Sequence, residues 1–115
     1  MYTIYKVVGF AAAHHLTNVE PDHQCARVHG HNYRVEFELS SLDLDEHGFV
    51  LDYGVLKELV SQYDHRDLND FLENPTAELL AQELALQLDE LLPPFIRIRY
   101  IRVHENDTSW AEYRV

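Results

Sequence analysis

His29-Gly30-His31-Asn32-Tyr33-Arg34-Val35-Glu36-Phe37-Glu38-Leu39-Ser40 alternates with a period of two. Tyr33, Val35, Phe37 and Leu39 fall on one face, and Asn32, Arg34, Glu36 and Glu38 on the other, the pattern of a half-buried strand. Upstream, residues 2–13 are rich in Tyr, Ile, Val and Phe and read as a partner strand, reached through a polar, histidine-bearing loop over 14–28. Downstream, Leu42 to Gly48 is turn-like, and Phe49 to Tyr53 is expected to continue the sheet as a short extended piece. Leu56, Leu59, Val60 and Tyr63 then give a first helix its apolar stripe. Asn74 followed by Pro75 predicts the start of a second helix, because Asn caps free N–H groups and proline costs nothing at the first helical position. Pro93 and Pro94 stop that helix near Leu92. Residues 95–104 alternate again, with Ile96, Ile98 and Tyr100 opposite Phe95, Arg97 and Arg99, and Trp110 to Val115 reads as a final strand.

The order β-β-α-α-β-β predicts an α+β fold, a four-stranded antiparallel sheet with two helices on one face. The other face, carrying Asn32, Arg34, Glu36 and Glu38, is too polar for a core. It suits a wet cavity or a subunit contact, so several sheets are expected to join edge to edge into an oligomeric β-barrel that also covers their open edges.

A chain of 115 residues supports one core, hence a single domain over 1–115. Met1 to Phe10 lacks the basic and apolar regions of a secretory signal, and no apolar run reaches membrane-spanning length, so no membrane partner and a cytoplasmic location are expected. Twenty acidic against nine basic residues give a net charge of −11, which argues against nucleic acid as a partner. A lone cysteine cannot form an internal disulfide, leaving Cys25 as a buried filler, a metal ligand or a reactive thiol.

His29 and His31 are two apart at the start of a strand, so both point to the face of Tyr33. His14, ending the first strand, shares the parity of Ile4, Val8, Phe10 and Ala12, which lets three imidazoles converge. Three protein ligands with an open fourth position is the pattern of catalytic zinc, whereas Cys25 as a fourth ligand would close a structural site. Asp64-His65 is a candidate acid or base pair, a carboxylate fixing an imidazole tautomer, or else a helix-terminal histidine beside a capping aspartate. Glu105 falls in a run, His104-Glu105-Asn106-Asp107, that reads as a loop. His15, His23 and His47 are left as bystanders.

Phe10-Ala-Ala-Ala-His14, Cys25-x3-His29-Gly30-His31-Asn32-Tyr33, Asp64-His65, Asn74-Pro75-Thr76-Ala77-Glu78 and Glu105, in one order, resemble the 6-pyruvoyl-tetrahydropterin synthase and 6-carboxytetrahydropterin synthase family. The match spans essentially the whole chain. It implies the tunnelling fold, in which three subunits close a twelve-stranded barrel and two trimers often stack into a hexamer. It also implies zinc (Zn2+) on His14, His29 and His31, Cys25 as base, and Asp64-His65 as its relay partner from an adjacent subunit. Glu105 would anchor the guanidine-like edge of a pterin triphosphate substrate, with Thr76 and Glu78 in the pocket segment. Ala11 stands where relatives often carry a polar residue. The compact Cys-x3-His-x-His spacing is that of 6-carboxy-5,6,7,8-tetrahydropterin synthases, lyases of queuosine and deazapurine pathways. The alternatives kept open are the pyruvoyl-forming synthase and a non-catalytic zinc-binding module.

Overall fold

The computed structural model describes residues 1–115. Strand β1 (Tyr2–His14) runs antiparallel to β2 (His29–Ser41) without interruption, from Tyr2 opposite Ser41 to His14 opposite His29. Helix α1 (Tyr53–Ser61) follows, then a two-residue strand β3 (Arg66–Asp67), helix α2 (Ala77–Leu91), β4 (Ile96–His104) and β5 (Trp110–Arg114). The strand order is β3-β1-β2-β4-β5. The four long strands form the antiparallel sheet that the alternation predicts. β3 adds a short parallel bridge to Ala12 and Ala13 that the sequence does not announce.

Both helices cover the apolar face. On α2 the buried residues are Ala77, Leu80, Ala81, Leu84, Ala85 and Leu88, the i, i+3, i+4, i+7 stripe of a helix laid on a sheet. They meet Val35, Phe37, Leu39, Ile101 and Val103, all fully buried. No helix is long and apolar enough to cross a membrane.

Three local expectations are corrected. Phe49 to Tyr53 is not strand: the Asp45 carboxylate accepts from the N–H groups of His47 and Phe49, and Asp52 caps α1 by accepting from Gly54 N–H at 2.8 Å. Asp45 thus takes the Phe49 donor a strand would use, the Asp52 cap turns the chain into α1, and Tyr53 is already helical. Helix α2 is capped by Thr76, not Asn74; the Thr76 hydroxyl accepts from Leu79 N–H at 3.1 Å. Asn74 is drawn away because its Oδ1 accepts from Thr17 N–H at 2.9 Å. Finally, Tyr100 leaves the face of Ile96 and Ile98. A bulge sets Ile98 opposite Leu39 but Tyr100 opposite Glu38, so the inward set resumes at Ile101 and Val103. Tyr100 then lies on the polar face beneath the Arg102 guanidinium, 4.1 Å from its ring centre.

That polar face is an ordered charge network. Glu36 accepts from Arg102 Nη1 at 3.3 Å and pairs with His104 Nε2 at 3.0 Å, while Glu112 accepts from Arg102 Nε at 2.6 Å and Arg114 Nε at 2.5 Å. The two arginines hold the Glu112 carboxyl below the usual range, Arg102 most strongly. The sheet is open within one chain: beyond Ala12 and Ala13, the outer edge of β1 has no strand partner.

Candidate metal and catalytic site

The β1–β2 register explains how the histidines meet. His14 is directly opposite His29, and His31 is the diagonal neighbour across the same face. Their ligand atoms all lie within 4.8 Å of one another, and the ring centres are 4.5 to 5.0 Å apart. Each outer contact selects a tautomer. His14 Nδ1–H donates to Pro75 O at 2.8 Å and His29 Nδ1–H donates to Arg27 O at 2.7 Å, which leaves both Nε2 lone pairs free.

The trio fits a metal ion on two grounds. His14 Nε2 and His31 Nε2 are buried without a hydrogen-bond partner, an arrangement that costs free energy unless something else binds them. Three imidazoles also make the donor set of an open zinc site, in which nitrogens on one ion stand about 3.4 Å apart, so closure asks for shifts of about 1 Å. His31 is held towards its neutral, ligating form. Burial lowers its pKa most, the nearby Glu105 carboxylate opposes this, and His14 and His29 add to the lowering. Glu105 Oε2 lies 3.5 Å from His31 Nε2, without hydrogen-bond geometry.

Cys25 sits in a short 3-10 turn, Gln24–Ala26, and falls outside the ligand group. His23 caps that turn through Nδ1, which accepts from Cys25 N–H at 3.0 Å, so His23 is no bystander to the thiol's placement. Cys25 O accepts from Leu16 N–H at 2.7 Å, which ties the thiol turn to the residues just after His14.

Asp64 and His65 are in contact: Asp64 Oδ2 is 3.1 Å from His65 Nδ1. The other carboxylate oxygen accepts from Ala11 N–H at 2.9 Å, the main reason the Asp64 pKa is lowered. His65 N–H returns a bond to Ala11 O at 2.6 Å. His65 has φ 60°, a left-handed conformation that costs a non-glycine residue about 1–3 kcal/mol and is concentrated at functional sites. Its imidazole is 83% exposed, and no hydrogen bond joins it to Cys25 within the chain.

Thr76 spends its hydroxyl on capping α2, and Glu78 lies exposed in the first turn, where a carboxylate favours the helix dipole. Both follow Pro75, whose carbonyl orients His14. Two residues escaped the sequence reasoning. Tyr33, 2% exposed, stacks on Phe10 at 4.8 Å and meets His31 edge-on at 5.3 Å, with its hydroxyl unpartnered. Burial pushes that phenol's pKa well up. Asn69 binds the backbone of His15 through both ends of its amide. Only the general affinity of Asn for turns pointed to it.

A curated putative 6-carboxy-5,6,7,8-tetrahydropterin synthase of Archaeoglobus fulgidus is 39% identical over 92% of this chain and 90% of that protein. The 6-carboxy-5,6,7,8-tetrahydropterin synthase of Synechocystis is 38% identical over 98% of this chain and 93% of its own length. Among solved structures, Caenorhabditis elegans 6-pyruvoyl tetrahydropterin synthase superposes with a TM-score of 0.77, covering 99% of this chain and 95% of that one at 24% identity, a likeness of fold. The family model described as 6-pyruvoyl tetrahydropterin synthase matches residues 3–115, and the chain belongs to that family.

Proposed function

We propose that this protein is a zinc-dependent lyase that converts 7,8-dihydroneopterin triphosphate and water to 6-carboxy-5,6,7,8-tetrahydropterin, acetaldehyde and triphosphate. The observation that carries this is the group of His14, His29 and His31, with two buried Nε2 atoms orphaned and Cys25 outside it. A closed four-ligand site would need the thiol among the ligands. Relatives at 38–39% identity over nearly the whole chain, whose names state this synthase, support the same product.

Zinc bound by the three imidazoles would polarise the side-chain hydroxyls of the substrate and ease loss of the adjacent protons. Cys25, held by the turn that His23 caps, is the base that takes them, and a nearby cation would favour its thiolate. Asp64 orients His65 as the relay partner, and the exposure of His65 suits a group that serves a neighbouring subunit's site. Glu105, beside His31, would accept from the N–H donors of the pterin's guanidine-like edge. Thr76 and Glu78 would border the pterin pocket.

The same proposal makes the protein a hexamer, a dimer of trimers, because the open β1 edge and the charged sheet face need partners and a shared lumen. Light scattering that finds a monomer at micromolar concentration would refute the shared site. The product decides the chemistry. Zinc-loaded protein should yield trapped acetaldehyde and a carboxypterin of matching mass. A pyruvoyl pterin without acetaldehyde would instead favour the pyruvoyl-forming synthase, and no turnover with a stable zinc–sulfur bond would favour a non-catalytic zinc module.

A further inference from the structure

The segment over residues 69–75 grips residues 14–17 by side chain, and its first contact imitates a strand. Asn69 Oδ1 accepts from His15 N–H at 2.9 Å while Asn69 Nδ2 donates to His15 O at 3.0 Å and to Glu73 O at 3.3 Å. One amide thus satisfies both backbone groups of His15. The parallel β1–β3 bridge ends at Ala13 opposite Asp67. Asn69, two residues further on and fixed by its own N–H donating to Asp67 Oδ1 at 2.9 Å, carries the pairing on by side chain. Asn74 Oδ1 then accepts from Thr17 N–H, and Pro75 O takes the Nδ1–H of His14.

We propose that Asn69 is a positioning residue for both halves of the site, the His14 imidazole and the Cys25 thiol. The covalent neighbours of His15 are His14, whose Nε2 faces the metal group, and Leu16, whose N–H donates to Cys25 O at 2.7 Å. Without the Asn69 amide, no other hydrogen bond of the structure holds His15 in line. The lost order passes along the backbone one residue each way, to a ligand and to the thiol turn. Partners that orient a ligating histidine from outside are worth about 10–100-fold in metal affinity. Asn69 acts one bond further out, so the lower end of that range is expected, about tenfold. This inference rests on the zinc site proposed above.

The test uses the full chain and zinc alone, without turnover. Zinc affinity is measured by competition with a chromophoric chelator, and the rate of Cys25 alkylation by iodoacetamide is followed in the metal-free protein. Asn69→Ala should weaken zinc about tenfold and change the alkylation rate at least threefold. Gln62→Ala is the control: its amide also donates two bonds, to Leu59 O at the end of α1 and to Gln87 Oε1 on α2, away from the site, so it should cost stability and leave zinc affinity within twofold. Asn69→Asp keeps the shape and the acceptor but sets a carboxylate against two carbonyl oxygens. It should be as defective as Asn69→Ala, and stands in if the alanine variant does not fold. Wild-type zinc affinity and alkylation rate in both Asn69 variants, or equal zinc loss in Gln62→Ala, would overturn the assignment. Failure of the wild-type protein to bind zinc would sink the metal site itself, a different result.

Discussion

His14 and His29 face each other across one base-paired-like step of the β1–β2 ladder, yet their removal should have unequal costs. His14 is 1% exposed and is the only hydrogen-bond partner of the buried Pro75 carbonyl, whereas the bond from His29 to Arg27 O lies at the surface. In His14→Ala an orphaned buried carbonyl costs about 1–3 kcal/mol and the vacated volume adds about 1, partly offset by removal of the unpartnered Nε2, so metal-free stability should fall by about 1–3 kcal/mol. His29→Ala forfeits an exposed bond worth about 0.5–1 kcal/mol. Zinc adds an equal loss to both. At a free concentration a hundredfold above its Kd, zinc stabilises the wild-type fold by about 2.7 kcal/mol, or about 10 °C in Tm for a chain of this size. Each variant lacks one of three ligands and should lose nearly all of that increment. Thermal melts with zinc and with chelator separate the two effects. Retention of the full zinc-dependent shift by His29→Ala would refute the three-histidine site. A His29→Ala protein less stable than His14→Ala in chelator would refute the role given to the Pro75 contact.

Cys25→Ala should keep zinc stoichiometry and oligomer size while turnover falls at least 100-fold, the scale of a lost general base; parallel loss of zinc by elemental analysis would make the thiol a ligand. Asp64→Asn keeps an acceptor for Ala11 N–H but loses the charge beside His65, so kcat should drop about 10–100-fold with the melting profile little changed. In the metal-free protein the depressed His31 pKa favours the neutral native form. Its contribution to stability is therefore present above the unfolded value of 6.5 and lost as pH falls through the lower folded value. Denaturant midpoints that do not fall between pH 7 and pH 5, or that fall equally in His31→Gln, would contradict this.

The strands and helices were legible because their side chains keep strict periods. Tyr33, Val35, Phe37 and Leu39 announce an inward face, and Leu80, Leu84 and Leu88 announce a helix stripe. What escaped depends on side chains competing for backbone donors. Asp45 and Asp52 dissolve the expected strand at Phe49 to Tyr53, and Asn74 is claimed by Thr17 before it can cap α2. The bulge at Arg99 was written in the sequence as adjacent apolar residues, Tyr100 and Ile101, which one alternating strand cannot set on the same face. A phase change at that pair would have placed Ile101 and Val103 in the core and sent Tyr100 out.

For the candidate site, parity and register carry different information. Parity alone showed that His14, His29 and His31 can share a face, but it holds for any even slip of β1 against β2. The observed register sets His14 opposite His29 and brings the rings to within 5.0 Å of one another. A two-residue slip would move His14 opposite His31 or past the end of β2, and would also shift Phe10 off its stack on Tyr33. The aromatic pair beneath the imidazoles and the unbroken thirteen-residue ladder therefore fix the metal group as a by-product of packing the core. Asp64-His65 shows the opposite case. Adjacent residues on a strand or helix point apart, and these two meet because His65 takes a left-handed φ while Ala11 binds both of them. That contact depends on a strained backbone and on a strand 53 residues away, neither of which leaves a local trace in the sequence.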